Sequence, residues 1–130
     1  MKGFIKQLLR ENIDKQSLLG KKFYHGTILE KVVQSKNYLF IINDFELAKS
    51  FAIEHTKELV DEFNKPYTAV VYEIIIDDKI LEMTWEVDDG YGSWEYETWQ
   101  ESLSKVGSFI ISGKDMNLND FKKIYKQQIG

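Results

Sequence analysis

Tyr67-Thr68-Ala69-Val70-Val71-Tyr72-Glu73-Ile74-Ile75-Ile76 is the clearest strand signal in the chain. Only Thr68 and Glu73 break its run of branched, aromatic and small apolar residues. A strand of that kind is apolar on both faces, which predicts a central place in a sheet. Asp77-Asp78 is expected to turn the chain. Just upstream, Asn64 and Pro66 mark the end of a helix that begins at Asn43 or Asp44, both good N-caps. Leu47, Ala48, Phe51, Ala52 and His55 recur at helical spacing on its predicted inner face, with Lys49, Glu54, Lys57 and Glu58 outside. Before it, Tyr38-Leu39-Phe40-Ile41-Ile42 is a short apolar run and reads as a second strand.

The pattern weakens outward from this strand–helix–strand unit. Phe23-Tyr24-His25 reads as a short strand broken by Gly26, and Ile28 to Val33 as one or two helical turns. Phe4, Ile5, Leu8 and Leu9 predict a short amphipathic helix, so residues 1–20 are an N-terminal helix and lead-in closed by Gly20. Ile80 to Ser104 holds no Lys or Arg but carries Glu82, Glu86, Asp88, Asp89, Glu95, Glu97 and Glu101, with Trp85, Trp94 and Trp99. Gly90 and Gly92 make its middle a loop, and Thr98 to Ser104 is expected to be a short helix. Ser108 to Ser112 reads as a strand. Asn117 to Gln127 reads as a closing helix with Leu118, Phe121, Ile124 and Tyr125 inward. The expected fold is α+β, with split mixed or antiparallel β-sheets and helices around them, in a single domain over residues 1–130.

Composition narrows the function. The 130 residues carry a formal net charge of −4, three tryptophans and no cysteine. Disulfides, cysteine zinc sites and thiol nucleophiles are therefore excluded. The acidic balance argues against nucleic acid, whose phosphates need clustered positive charge. No apolar run approaches the roughly 20 residues of a membrane span. Lys6 and Arg10 interrupt the N-terminal apolar stretch, and no small-residue cleavage site follows, which argues against a signal peptide. A cytoplasmic protein is expected.

Few residues offer chemistry. His55 lies beside the apolar positions of the helix and reads as a packed or half-exposed helix histidine. His25 is followed at once by Gly26 and Thr27, so an imidazole, a glycine permitting close approach to the main chain, and a hydroxyl converge on one point of backbone. No metal is expected: two histidines 30 residues apart make no ligand pair, and the acidic segment lacks the periodicity of a calcium loop. Gly90-Tyr91-Gly92 is too short for a phosphate loop.

Four features in this order resemble the ADP-ribosyltransferase fold, in particular its small histidine-type members: diphtheria-toxin-like enzymes, poly(ADP-ribose) polymerase catalytic domains and short phage or bacterial relatives. Phe23-Tyr24-His25-Gly26-Thr27 is similar to the family's Tyr-His-Gly-Ser/Thr motif. Tyr38-Leu39-Phe40 followed by Asp44 to Ala52 resembles its strand and Ala-x-x-Tyr-Ala helix. Val70 to Ile76 resembles its long core strand, and Ser108 to Ser112 with Leu118 to Tyr125 its last strand and closing segment. Trp99 to Leu103 is similar to a stretch found in the phage-type relatives. The resemblance implies that His25 holds the nicotinamide-side ribose of NAD and that Gly26 offers its main chain to the carboxamide. It implies that Thr27 helps hold the adenosine-side ribose, and it sets Tyr24 among the NAD-binding residues. Phe51 falls where the family stacks a tyrosine on nicotinamide, and Phe40 at a second aromatic wall.

The third motif departs from the family. Active transferases usually carry a Glu at the start of the last core strand, where this chain has Gly107 or Ser108, neither of them acidic. Glu97 and Glu101, a few residues upstream, are the candidate substitutes, and Glu95-Tyr96-Glu97 mimics the Glu-x-Glu of arginine-type members. The expected function is an NAD-dependent mono-ADP-ribosyltransferase that modifies a protein acceptor, with NAD as substrate and the protein a monomer. The alternative is a catalytically silent member that binds a basic partner through its acidic, tryptophan-rich segment, for which exposed tryptophans are expected.

Overall fold

The computed structural model describes residues 14–30, 38–87, 108–113 and 117–130. A 3-10 helix, Asp14–Leu18, leads into β1 (Lys22–Ile28), then β2 (Tyr38–Ile42), α1 (Phe45–Phe63) and β3 (Tyr67–Ile75). A short helix α2 (Asp78–Leu81), β4 (Thr84–Val87), β5 (Ser108–Ser112), a 3-10 turn (Leu118–Asp120) and β6 (Lys122–Ile129) follow. The six strands form one sheet in the order β4-β5-β2-β1-β3-β6, and every pairing is antiparallel. The α+β class thus holds, with no parallel pairing among the described residues.

Each face of the sheet has its own core. On one, Phe23, Ile41, Val70, Tyr72, Ile74, Trp85, Phe109 and Ile111 are covered by Leu18, Ile80, Leu81 and Leu118. On the other, Ile42, Ala69 and Val71 meet Ala48 and Ala52 of α1. Asp44 caps α1 by accepting from the Leu47 N–H, and Asn64 closes it in the left-handed region at φ 52°. The buried face of α1 is Ala48, Ala52 and Thr56, whereas Leu47, Phe51 and His55 are exposed. The expected inner face is therefore rotated, because small residues let the helix axis come close to β1.

Other expectations fail for identifiable reasons. Gly26 does not break β1; the strand pairs with β3 from Lys22↔Ile75 through Ile28↔Ala69. Ile28 is strand, and Leu29-Glu30 is a turn rather than the start of a helix. Asp77 does not simply turn the chain: its carboxylate accepts from the Ile80 N–H and starts α2. Thr84–Val87, where no strand was expected, is a strand on β5. The predicted closing helix is β6. Its ladder with β3 shifts between Val71↔Tyr125 and Tyr72↔Lys123, so Ile124 is an extra residue in a bulge. A bulge breaks the period of two, and Phe121, Ile124 and Tyr125 thereby acquire the spacing of a helix. Residues 1–13 and the predicted helix at 98–104 lie outside the described residues.

The β1:β3 ladder ends in a clamp. The Leu29 N–H donates to the Thr68 carbonyl at 2.8 Å. The Thr68 N–H and hydroxyl instead donate to the two oxygens of Glu30 at 2.7 and 2.8 Å. Burial alone would raise the Glu30 carboxyl, but these bonds, its own amide and Lys126 outweigh it and hold the group below the ordinary carboxylate range. A carboxyl lowered on folding stabilises the native state above its ordinary value and loses that contribution as pH falls through the lowered one. The stability gap between wild type and Glu30→Gln in urea unfolding should therefore shrink between roughly pH 6 and pH 3. A gap independent of pH would contradict the clamp.

Candidate functional site

The sheet is nearly divided along its middle. β1 makes seven register pairs with β3, and β2 makes five with β5. Between themselves β1 and β2 share a single pair, Tyr24↔Ile42. In an antiparallel ladder, successive residues point their main-chain groups to alternate sides. Leu29 and Lys21 bond towards β3 and its extension, so the odd-numbered residues of β1 face β3 and the even-numbered ones face β2. Gly26 therefore directs its N–H and C=O at β2, where the ladder has already stopped.

On the β2 side, the Phe40 carbonyl is occupied. It lies 2.7 Å from His25 Nδ1. A carbonyl only accepts, so Nδ1 carries the proton, and in the neutral ring Nε2 is the acceptor nitrogen. The His25 ring also lies 6.5 Å from that of Tyr72, its cross-strand partner, at an interplanar angle of 28°.

A cavity of about 290 Å³ opens on the helix side of this division, lined by Tyr24, Gly26, Phe40, Ile42, Ala48 and Phe51. Phe40 and Phe51 meet edge to face, centroids 6.4 Å apart at 86°. Phe51 remains 45% exposed at the rim. Tyr24 is braced by Phe45 at 5.6 Å. The wall is almost wholly apolar, and the Gly26 main chain lies at the division beside it. Such a site suits a flat ring of modest size carrying one donor–acceptor group at its edge.

The expected site residues are only partly gathered. Tyr24, Gly26, Phe40 and Phe51 line one cavity. Ser108 is buried and stands opposite Ile42 across β2 and β5, beside that wall. His25 is not among the lining residues; it reaches the division between the strands through its bond to Phe40. Alternation along β1 turns His25 and Thr27 to the face opposite Gly26, so Thr27 does not share the cavity. Glu97 and Glu101 lie outside the described residues, as do Trp94 and Trp99. Trp85 is core: it is 2% exposed, donates from Nε1 to the Ile80 carbonyl at 3.0 Å and packs on Phe109. It offers no docking surface. His55 is exposed, 3.8 Å from Glu58 on the same helix, and belongs to no site.

Two features went unread in the sequence. Ala48 forms a wall of the cavity, and its signal was the pair of alanines one turn apart facing Gly26. Glu30 had no signal, because its partner lies 38 residues away.

Gly26 also has a packing role. A Cβ there would stand 2.1 Å from the Ala48 carbonyl oxygen and 3.2 Å from the Ala52 side chain. The glycine is thus required by α1 as well as open to a ligand. A second depression, about 550 Å³, lies where the end of β3 meets α2, with Ile75 and Phe121 in its wall and carboxylates and lysines of mixed sign around them. It gathers none of the expected residues. Among the described residues no cluster of His, Asp or Glu could hold a metal ion, and no helix is long and apolar enough to cross a membrane. Family models, curated proteins and solved structures give no match to the chain.

Gly26→Ala should move α1 off the sheet, destabilise the fold by about 1–3 kcal/mol and reshape the cavity. Chemical denaturation would measure the cost; an unchanged midpoint would contradict the close approach.

Proposed function

We propose that the protein is an NAD-dependent mono-ADP-ribosyltransferase acting on a protein acceptor, with the cavity between β1, β2 and α1 receiving nicotinamide. The observation that carries this reading is the convergence of Gly26, Phe40 and Phe51 on one apolar cavity at the division of the sheet. The division itself supports an ADP-ribosyltransferase-like fold, whose sheet is split.

The chemistry follows from the site. The nicotinamide ring would lie against Phe40 and Phe51, where aromatic contact adds about 0.5–1.5 kcal/mol beyond burial. Its carboxamide would exchange hydrogen bonds with the N–H and C=O of Gly26. The ribose would extend through the division towards His25. Cleavage breaks the bond between the ribose anomeric carbon and the pyridinium nitrogen. The bonding pair leaves with nicotinamide, and positive charge develops on the ribose. The acceptor nucleophile then bonds to the anomeric carbon and loses a proton to solvent or a nearby base. A site that fixes the ribose hydroxyls and buries the leaving ring lowers that barrier by positioning and electrostatics. Glu97 or Glu101 would supply the carboxylate that faces the developing charge.

One observation favours the second reading, a catalytically silent member that binds a partner through its acidic, tryptophan-rich segment. The start of β5 presents Ser108, a group without charge, beside the cavity wall. Burial of Trp85 removes one of the three tryptophans from the docking surface which that reading invoked.

Incubation with NAD labelled in the adenosine half, on acceptor extracts, tests the proposal. Wild type should transfer label and release nicotinamide, and His25→Ala should lower the rate about 10²-fold. Absence of both transfer and hydrolysis would overturn the transferase. Saturable NAD binding without turnover would select the silent member.

A further inference from the structure

We propose that Glu30 is a positioning residue that, together with His25, holds the division between β1 and β2 open. The inference concerns the same cleft as the proposed function, but it rests on the ladder geometry alone.

β1 and β2 follow one another in an antiparallel sheet and already share Tyr24↔Ile42. The next pair in that register would be Gly26↔Phe40, with the Gly26 N–H donating to the Phe40 carbonyl. Closing it would satisfy two main-chain groups on each strand, which is the ordinary fate of such edges. Two side chains oppose it. From inside, His25 Nδ1 donates to that same carbonyl at 2.7 Å and takes the acceptor Gly26 would need. From outside, both Glu30 oxygens are bonded by Thr68 at 2.7 and 2.8 Å, which draws the end of β1 towards β3 and away from β2. The carboxylate replaces a main-chain acceptor at the end of the ladder, and hydrogen bonds to a charged group are stronger than neutral ones. Lys126 on β6 is the charge that acts on Glu30 from the neighbouring strand. Gly26 and Phe40, the two residues of that open pair, both line the cavity.

Amide hydrogen exchange on the full chain, read by NMR, tests this without any ligand. In wild type the Gly26 and Phe40 amides should exchange far faster than that of Val71 in the centre of β3. In Glu30→Ala they should slow by about tenfold or more as the ladder closes, the scale of one lost charged bond. Thr68→Val, which keeps the main-chain bond and removes only the hydroxyl, should shift them the same way by a smaller factor. Nicotinamide, titrated as the probe, should bind Glu30→Ala about tenfold more weakly than wild type. Unchanged exchange at Gly26 and Phe40 in both variants would overturn the proposal, as would faster exchange along all of β1, the sign of simple fraying. If nicotinamide does not bind wild type while the exchange shifts occur, the proposed function fails and the positioning role of Glu30 stands.

Discussion

The structure depends on an uneven commitment of two adjacent strands. β1 is bound along its whole length to β3, and β2 along its whole length to β5, yet the two meet at one residue pair. Main-chain hydrogen bonds are obligatory for buried backbone, so a sheet interrupted at its centre must satisfy those groups some other way. The His25 imidazole meets one of them at Phe40. The division is thus built into the sheet by specific side chains, and it places polar main chain beside an aromatic wall.

The second constraint is the approach of α1. Ala48 and Ala52 bring the helix so close that β1 tolerates no side chain at position 26. The same approach places Phe51 against Phe40 of β2, in the middle of the sheet. The cavity is what remains where a helix seated on small residues overhangs the gap between two strands. Gly26 consequently serves packing and site at once, and substitutions there cannot separate the two roles.

Much of this was legible in the residues. The strands at Tyr38–Ile42 and Ser108–Ser112, and the helix capped by Asp44 and closed by Asn64, follow directly from periodicity and capping chemistry. The long strand at Tyr67–Ile75 carried its interior position, paired on both sides, in its composition, although it lies next to the edge strand β6 and not at the centre. β6 was illegible because its bulge imitates a helical repeat, and only pairing with β3 decides between them. β4 was hidden because four residues among acids carry too little pattern. The rotated face of α1 followed the alanines, not the larger apolar residues, since close approach to Gly26 outweighs burial of Leu47 and Phe51. At the site, the aromatic wall and Gly26 were readable from their motifs. The opposite facing of Thr27 and the clamp by Glu30 depend on strand register, which no local stretch encodes.

The central claim is that the divided sheet forms a binding cleft for the nicotinamide end of NAD. It is tested most directly by titrating NAD into isotope-labelled protein and following the main-chain amides. The account predicts saturable shifts at Gly26 and Phe40 and in the Phe51 ring, with Ile75 and Phe121 in the second depression unmoved. Shifts confined to that second depression, or none at millimolar NAD, would contradict it.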